Sequence, residues 1–270
     1  VVQIKQSPTS INQWFFCPRS YYNKYIVGLP TFPNIHTIKG KAVHKVIENM
    51  FYNTKYIDPL QYVSKELNRV WNLETVEMSK EQETKEKKDA LNILELFAFI
   101  HQKRMEGLVH NEKAKDLSHA WNLLKPRFQE KSYEFEDLKG IVDREEEDFD
   151  GTVSLIDYKT SNKVFNQLNQ EYVRQARLYA LMYYRQHDKL PDYVKINFLR
   201  FGEVWPIAVT PDMIKLAEID LKFVQENTTS VEEKDYPMNV TKRCEWCDFK
   251  SECFKKEKQE VLKDVIPTIV

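Results

Sequence analysis

An apolar strand that ends in charge is the first chemical signal in this chain. Residues 151–161 read GTVSLIDYKTS, and Asp157 and Lys159 follow directly on Val153, Leu155 and Ile156. Burial penalises charge, so the pair marks either a strand running into solvent or a site. Side chains alternate along a strand, so Asp157 and Lys159 share one face. The preceding segment, KGIVDREEE, offers a second carboxylate in Asp143. The turn between the two segments decides whether it can join. A three-residue loop, Phe149–Gly151, with Gly151 left-handed, pairs Asp148 with Thr152 and brings Asp143 opposite Asp157. Directly opposite side chains point the same way, about 5 Å apart. A two-residue Asp150–Gly151 turn would set Asp143 against Tyr158, on the wrong face. The site therefore requires the three-residue loop, or a bulge of equal effect.

Two close carboxylates repel and favour a cation between them. Oxygen ligands suit Mg²⁺ or Mn²⁺ over softer ions. Such an ion activates water and stabilises a phosphoryl oxygen, and Lys159 would orient that water or neutralise developing charge. Taken alone, D-x-K is short and more often marks an exposed strand end.

The second signal is sulfur. Cys244, Cys247 and Cys253 form C-x2-C-x5-C, and Cys17 lies far upstream behind an aromatic pair. Four thiolates bind zinc or a [4Fe–4S] cluster, and the spacing leaves both open. Disulfides are a poor first reading for a chain taken to be cytoplasmic. The opening VVQIKQSPTS lacks the pattern of a signal peptide, and no apolar run is long enough to span a membrane.

The elements that must position these residues follow from periodicity. Residues 10–25 read as helix with a break at Pro18, and 37–51 as an amphipathic helix with Val43, Val46, Ile47 and Met50 on one face. Residues 58–100 read as two helices, the second opening near Ser79 in a solvated charge run, and 113–129 as another that ends near Pro126. Strands are expected over 133–135, 138–145 and 152–158, then a helix over 167–186. A second strand pair, 193–200 and 204–209, and a helix from Pro211 to Asn227 complete the series. This is a mixed α/β core behind a helical layer. Its parts are a mainly helical 1–130, an α/β core over 131–230 and a cysteine tail over 231–270, within one domain. Of the 270 residues, 40 are Lys or Arg and 41 Asp or Glu, so net charge argues neither for nor against nucleic acid.

In order along the chain stand WFFCPRSYY, GKAVHKVIE, GIVDRE, LIDYKT, YVRQARLYA and CEWCDFKSEC. This series, covering about residues 14–254, resembles the RecB-like branch of the PD-(D/E)XK nucleases, and within it the iron–sulfur exonucleases. Those include the CRISPR spacer-acquisition exonuclease, the AddB nuclease module and phage recombination exonucleases. The resemblance implies a restriction-endonuclease-like α/β fold. It implies that His44, Asp143, Asp157 and the carbonyl of Tyr158 hold Mg²⁺ or Mn²⁺. It makes Lys159 the catalytic lysine, with Gln175 and Tyr179 forming the Q-x-x-x-Y motif that positions the lysine or the nucleic acid. Cys17, Cys244, Cys247 and Cys253 would hold a [4Fe–4S] cluster that staples the two ends of the fold, with structural zinc as the alternative. Where the first motif of the superfamily has PD, this chain has GIVD.

On residues alone, a helical His beside an apolar stripe is more often a core residue, and His44 has Glu48 at i+4. Likewise, Tyr172, Gln175, Tyr179 and Met182 share one helical face, which is more often core than site. The resulting expectation is a metal-dependent DNA exonuclease acting on single strands or ends in recombination, repair, replication or CRISPR adaptation. Partners would be DNA and a helicase, recombinase or CRISPR integrase, with no membrane. The location would be cytoplasmic, or the host cytoplasm for a phage-encoded chain. The segment between Phe51 and Lys131 is expected to arch over a single-strand channel, with Trp14, Tyr21 and Tyr22 available to stack on bases. The alternatives are a non-catalytic DNA-end-binding iron–sulfur module, which would lack a carboxylate or the lysine, and a zinc-stapled protein–protein adaptor.

Overall fold

Five strands form one sheet in sequence order: β1 (Phe128–Glu134), β2 (Lys139–Glu147), β3 (Val153–Lys159), β4 (Tyr193–Phe198) and β5 (Glu203–Ala208). The computed structural model describes residues 4–32, 34–53, 55–71, 79–162 and 169–255. Neighbouring strands are antiparallel except β3 and β4, which run parallel. A parallel step needs a crossover, and α7 (Gln170–His187) provides it. Six of the seven residues of β3 are buried, as expected of a central strand covered on both faces.

Residues cluster into two compact units. The larger, 33–135 and 139–217, holds the sheet, α7 and four earlier helices. These are α3 (Ile35–Phe51), α4 (Pro59–Trp71), α5 (Lys80–His110) and α6 (Leu117–Leu123). Asn34 caps α3 by accepting the N–H of Thr37. The α3 stripe Val43, Val46, Ile47 and Met50 is fully buried, as its spacing requires. It meets Val63, Leu67, Leu94 and Trp121 in a core that extends to Ile156, Tyr158 and Leu199 on the sheet. α4 packs on α3 and α5, and α6 on α5, in a layer that meets the sheet where Phe97 of α5 touches Tyr158. The part of the proposed arch over 72–78 lies outside the described residues. Lys39 is buried on α3 and bonds Glu86 at 2.7 Å and Asp89 at 2.6 Å, while Arg200 grips Asp89 with both terminal nitrogens.

Two sequence readings need correction here. The expected helix over 113–129 is only Leu117–Leu123, and β1 starts at Phe128 instead of Tyr133. The helix stops at Leu123, short of the end expected near Pro126, and FQEKSYE then pairs with β2. The expected start of α7 at 167 lies outside the described residues.

The smaller unit comprises residues 1–32, 136–138 and 218–270. It contains α1 (Pro8–Phe16), α2 (Pro18–Tyr21), a π-helical turn at Tyr22–Ile26, the later part of α8 (Pro211–Asn227) and the short α9 (Lys250–Cys253). Pro18 separates α1 from α2, as expected of a residue without an N–H. Trp14 packs edge-on to Tyr21 and Tyr236, and Tyr21 is fully buried, so these two rings are core rather than base-stacking platforms. Tyr22 donates its hydroxyl to the Val231 carbonyl.

Candidate active site

Gly151 has φ +82°, and Asp148 N–H reaches the Thr152 carbonyl at 2.9 Å, closing a three-residue loop over Phe149–Gly151. The register that follows pairs Glu147 with Val153 and Arg144 with Ile156. One step on, the same register sets Asp143 across from Asp157. There the ladder gives way to side-chain bonding: Asp143 Oδ2 accepts the N–H of Tyr158 at 2.7 Å.

β1 adds a third carboxylate to this row. Its register pairs Gln129 with Arg144 and Lys131 with Val142, which brackets Glu130 against Asp143. Glu130 has φ +45°, a left-handed backbone that costs a side-chain-bearing residue about 1–2 kcal/mol. The ladder is interrupted at that position. Glu130, Asp143 and Asp157 therefore stand in line across three adjacent strands. Glu130 was not among the sequence candidates, because residues 113–129 read as helix. The segment FQEKSYE shows no apolar alternation that would have marked the strand.

His44 comes from α3, which passes close to the end of β3: a Cβ on Gly40 would lie 3.4 Å from Thr160 Oγ1. His44 Nδ1 lies 3.3 Å from Asp143 Oδ1, while Glu48 binds Lys45 and Tyr52 instead. Among the described residues, His44, Glu130 and Asp143 form a group whose ligand atoms lie within 4.8 Å of one another.

Asp157 is 3 % exposed and held from three sides. Its Oδ2 lies 2.7 Å from Lys159 Nζ, and its Oδ1 accepts from Gln175 Nε2 at 3.0 Å and Tyr179 Oη at 3.2 Å. Lys159 also donates to Gln175 Oε1 at 2.9 Å. Gln175 and Tyr179 stand at i and i+4 on α7, so one helical face delivers both. Asp157 Oδ2 is buried and accepts no well-directed hydrogen bond, which leaves lone pairs for a cation. The Tyr158 ring packs against Phe97 on the other side of the sheet and meets His44 edge-on, at 5.8 Å between ring centroids.

The electrostatics are those of crowded anions. Burial and the adjacent Asp143 push Glu130 up to about 7. Burial also raises Asp157, against the pull of Lys159. Burial would lower His44, but Asp143, Asp157 and Glu130 together hold it above its usual value. Burial opposes the charge on Lys159 as well, yet Asp157 outweighs it and raises the lysine. A divalent cation is the natural complement to three carboxylates and an imidazole in this space.

In the smaller unit, Cys17, Cys244, Cys247 and Cys253 line one small cavity with Phe16, Met238, Val240 and Phe254. All four are free thiols. Cys17 Sγ accepts the N–H of Asn239, and Cys244 Sγ that of Thr241, both at 3.4 Å. Burial and the other three sulfurs raise Cys253.

The family model for the PD-(D/E)XK nuclease superfamily matches residues 5–254. Among solved structures, a candidate exonuclease from Eubacterium rectale is similar at 11% identity and a TM-score of 0.49, with 89% of this chain and 86% of that chain covered. The protein SSO0001 is similar at 11% identity and a TM-score of 0.37, with 95% and 89% covered. A comparison with the curated proteins finds no match. The mixed five-stranded sheet flanked by helices is restriction-endonuclease-like, and the chain belongs to the PD-(D/E)XK nuclease superfamily.

Proposed function

We propose that the chain is a Mg²⁺- or Mn²⁺-dependent deoxyribonuclease that degrades DNA from ends, with single strands as its substrate. The observation that carries this reading is the alignment of Asp143 with Asp157 beside Lys159, at the ends of adjacent strands. His44, Asp143, Asp157 and the Tyr158 carbonyl would hold the ion, with Glu130 as an added carboxylate. When bound, the ion supplies an activated water and shields the scissile phosphate. Lys159 would orient that water and stabilise charge growing on the phosphate oxygens. Gln175 bridges Lys159 and Asp157, fixing the distance between them, and Tyr179 supports Gln175 from one turn on. The resemblance of the motif series to the iron–sulfur exonucleases favours exonuclease over endonuclease action and a role in recombination, repair, replication or CRISPR adaptation. That role would bring a helicase, recombinase or integrase partner and a cytoplasmic setting. Among the described residues no helix is long and apolar enough to cross a membrane.

The four cysteines line one cavity and would hold a [4Fe–4S] cluster, as the resemblance to the iron–sulfur exonucleases implies, with structural zinc as the alternative. Iron and sulfide near four atoms per chain in anaerobically prepared protein support the cluster; zinc alone overturns it.

The test of the nuclease reading is digestion of end-labelled single-stranded DNA with Mn²⁺. Wild type should release short products from an end, and Asp157→Ala should be slower by roughly a thousandfold. Equal degradation by the two proteins removes the proposed site.

A further inference from the structure

The larger unit contains a second polar cavity, of about 420 Å³, on the sheet face opposite Asp143 and Asp157. Strand alternation puts Arg144, Glu146, Ile156 and Tyr158 on that face, where α5 covers them with Phe97, His101 and Arg104. β4 adds Lys195 and Asn197. The volume falls within the roughly 300–1,000 Å³ typical of small-ligand sites.

Two buried polar side chains lining this cavity have an atom without a partner. Arg144 is 2 % exposed; it bonds the Leu124 carbonyl and Glu146, but its Nε has no hydrogen bond. His101 is 3 % exposed and its Nε2 has none either. Buried donors are nearly always satisfied in folded proteins, so unpartnered ones beside a cavity point to a ligand. The charge is also one-sided. Arg104, Arg144 and Lys195 face a single carboxylate, Glu146, whose acidity all three increase, although burial works against them. Two positive charges remain uncompensated. The rest of the wall is apolar, with Phe97, Ile156 and Leu199.

We infer that this cavity binds a small phosphomonoester with an apolar or aromatic body, of which a nucleoside monophosphate is the type. A phosphomonoester carries about −1.5 to −2 charge at neutral pH, matching the surplus. Arginine and lysine at the mouth hold the phosphate, and the apolar wall receives the body. Asn197 can pair with polar edges of that body. The site is separate from the catalytic row and does not depend on the nuclease reading.

The test is calorimetric titration of the full chain, in EDTA, with thymidine 5′-monophosphate, thymidine and inorganic phosphate. Four proteins are compared: wild type, Arg104→Gln, Lys195→Gln and Asp157→Asn. Arg104 and Lys195 are partly exposed, so these substitutions leave the core intact, which circular dichroism checks. The expected result is one nucleotide per chain, bound at least tenfold more tightly than thymidine or phosphate. Arg104→Gln and Lys195→Gln should each weaken it about tenfold, and Asp157→Asn should leave it unchanged. Three results overturn the inference: no nucleotide binding, binding indifferent to Arg104 and Lys195, or phosphate binding as tight as nucleotide. Loss in Asp157→Asn alone would place the nucleotide in the catalytic row and likewise overturn it. Digestion of DNA by wild type is scored separately, so failure here leaves the nuclease reading standing.

Discussion

Asp143 binds the main chain of Tyr158 through one carboxylate oxygen, at 2.7 Å, and faces His44 with the other, at 3.3 Å. The first bond ties the carboxylate to the strand carrying Asp157 and Lys159. The second ties it to α3. Asp143→Asn keeps a carbonyl that can accept the Tyr158 N–H but loses the charge. It should therefore fold normally and lose Mn²⁺-dependent cleavage by roughly a hundredfold or more, measured as the initial rate on end-labelled DNA. Thermal melting with and without Mn²⁺ should show a much smaller metal-induced rise in Tm than wild type.

Glu130 sets a different expectation. Without a divalent ion it crowds Asp143 across the strand pair, so Glu130→Gln should leave the metal-free protein at least as stable as wild type. The same variant should gain less from Mn²⁺. Differential scanning calorimetry at two metal concentrations separates the two effects, and a metal-free Tm well below wild type would count against the crowding.

The turn gives a stability prediction without any chemistry. A Cβ on Gly151 meets nothing within 4 Å, so the strain of substitution is set by φ +82° alone. Gly151→Ala should cost about 1–2 kcal/mol in urea unfolding. Gly151→Asn, which tolerates the left-handed region better, should cost less.

His101 predicts a pH effect. Burial, with Arg144 and Arg104 adding to it, pushes its pKa down to about 3. Its unfolded value is about 6.5. Stability from keeping it neutral is present above 6.5 and is lost as pH falls through that value toward 3. Between pH 6.5 and 5 this group should account for a loss of about 2 kcal/mol. His101→Phe, set among Phe51, Phe97 and Trp121, should show an acid sensitivity smaller by that amount. Chemical denaturation at the two pH values measures both.

Cys17→Ser should abolish the iron–sulfur absorbance and lower the melting temperature of the purified protein. Asp157→Ala should leave the absorbance unchanged, since Asp157 lies in the larger unit.

Much of the carboxylate row was legible because its geometry follows from counting. Gly151 fixes the loop, the loop fixes the register, and the register carries Asp143 to Asp157. The α3 stripe was likewise visible at helical spacing. Glu130 was hidden because FQEKSYE has no apolar alternation, as an edge strand with few buried residues need not. Gln175 and Tyr179 were readable only through the motif series, because a polar residue within an apolar helical stripe looks like core. The cavity behind the sheet was invisible for another reason: its residues come from α5, β2, β3, β4 and β5. No linear spacing records that convergence.

The smaller unit joins residues 1–32 to residues beyond 217. On the ribosome, the first segment emerges long before its partners exist. At roughly 5–20 residues per second, it waits about 10–40 s for them. Cys17 must therefore spend synthesis as an unprotected thiol, with Trp14 and Tyr21 lacking Tyr236 to pack on. Assembly of the four-sulfur cavity is thereby postponed until Cys253 has been made, and anything inserted there is inserted after it.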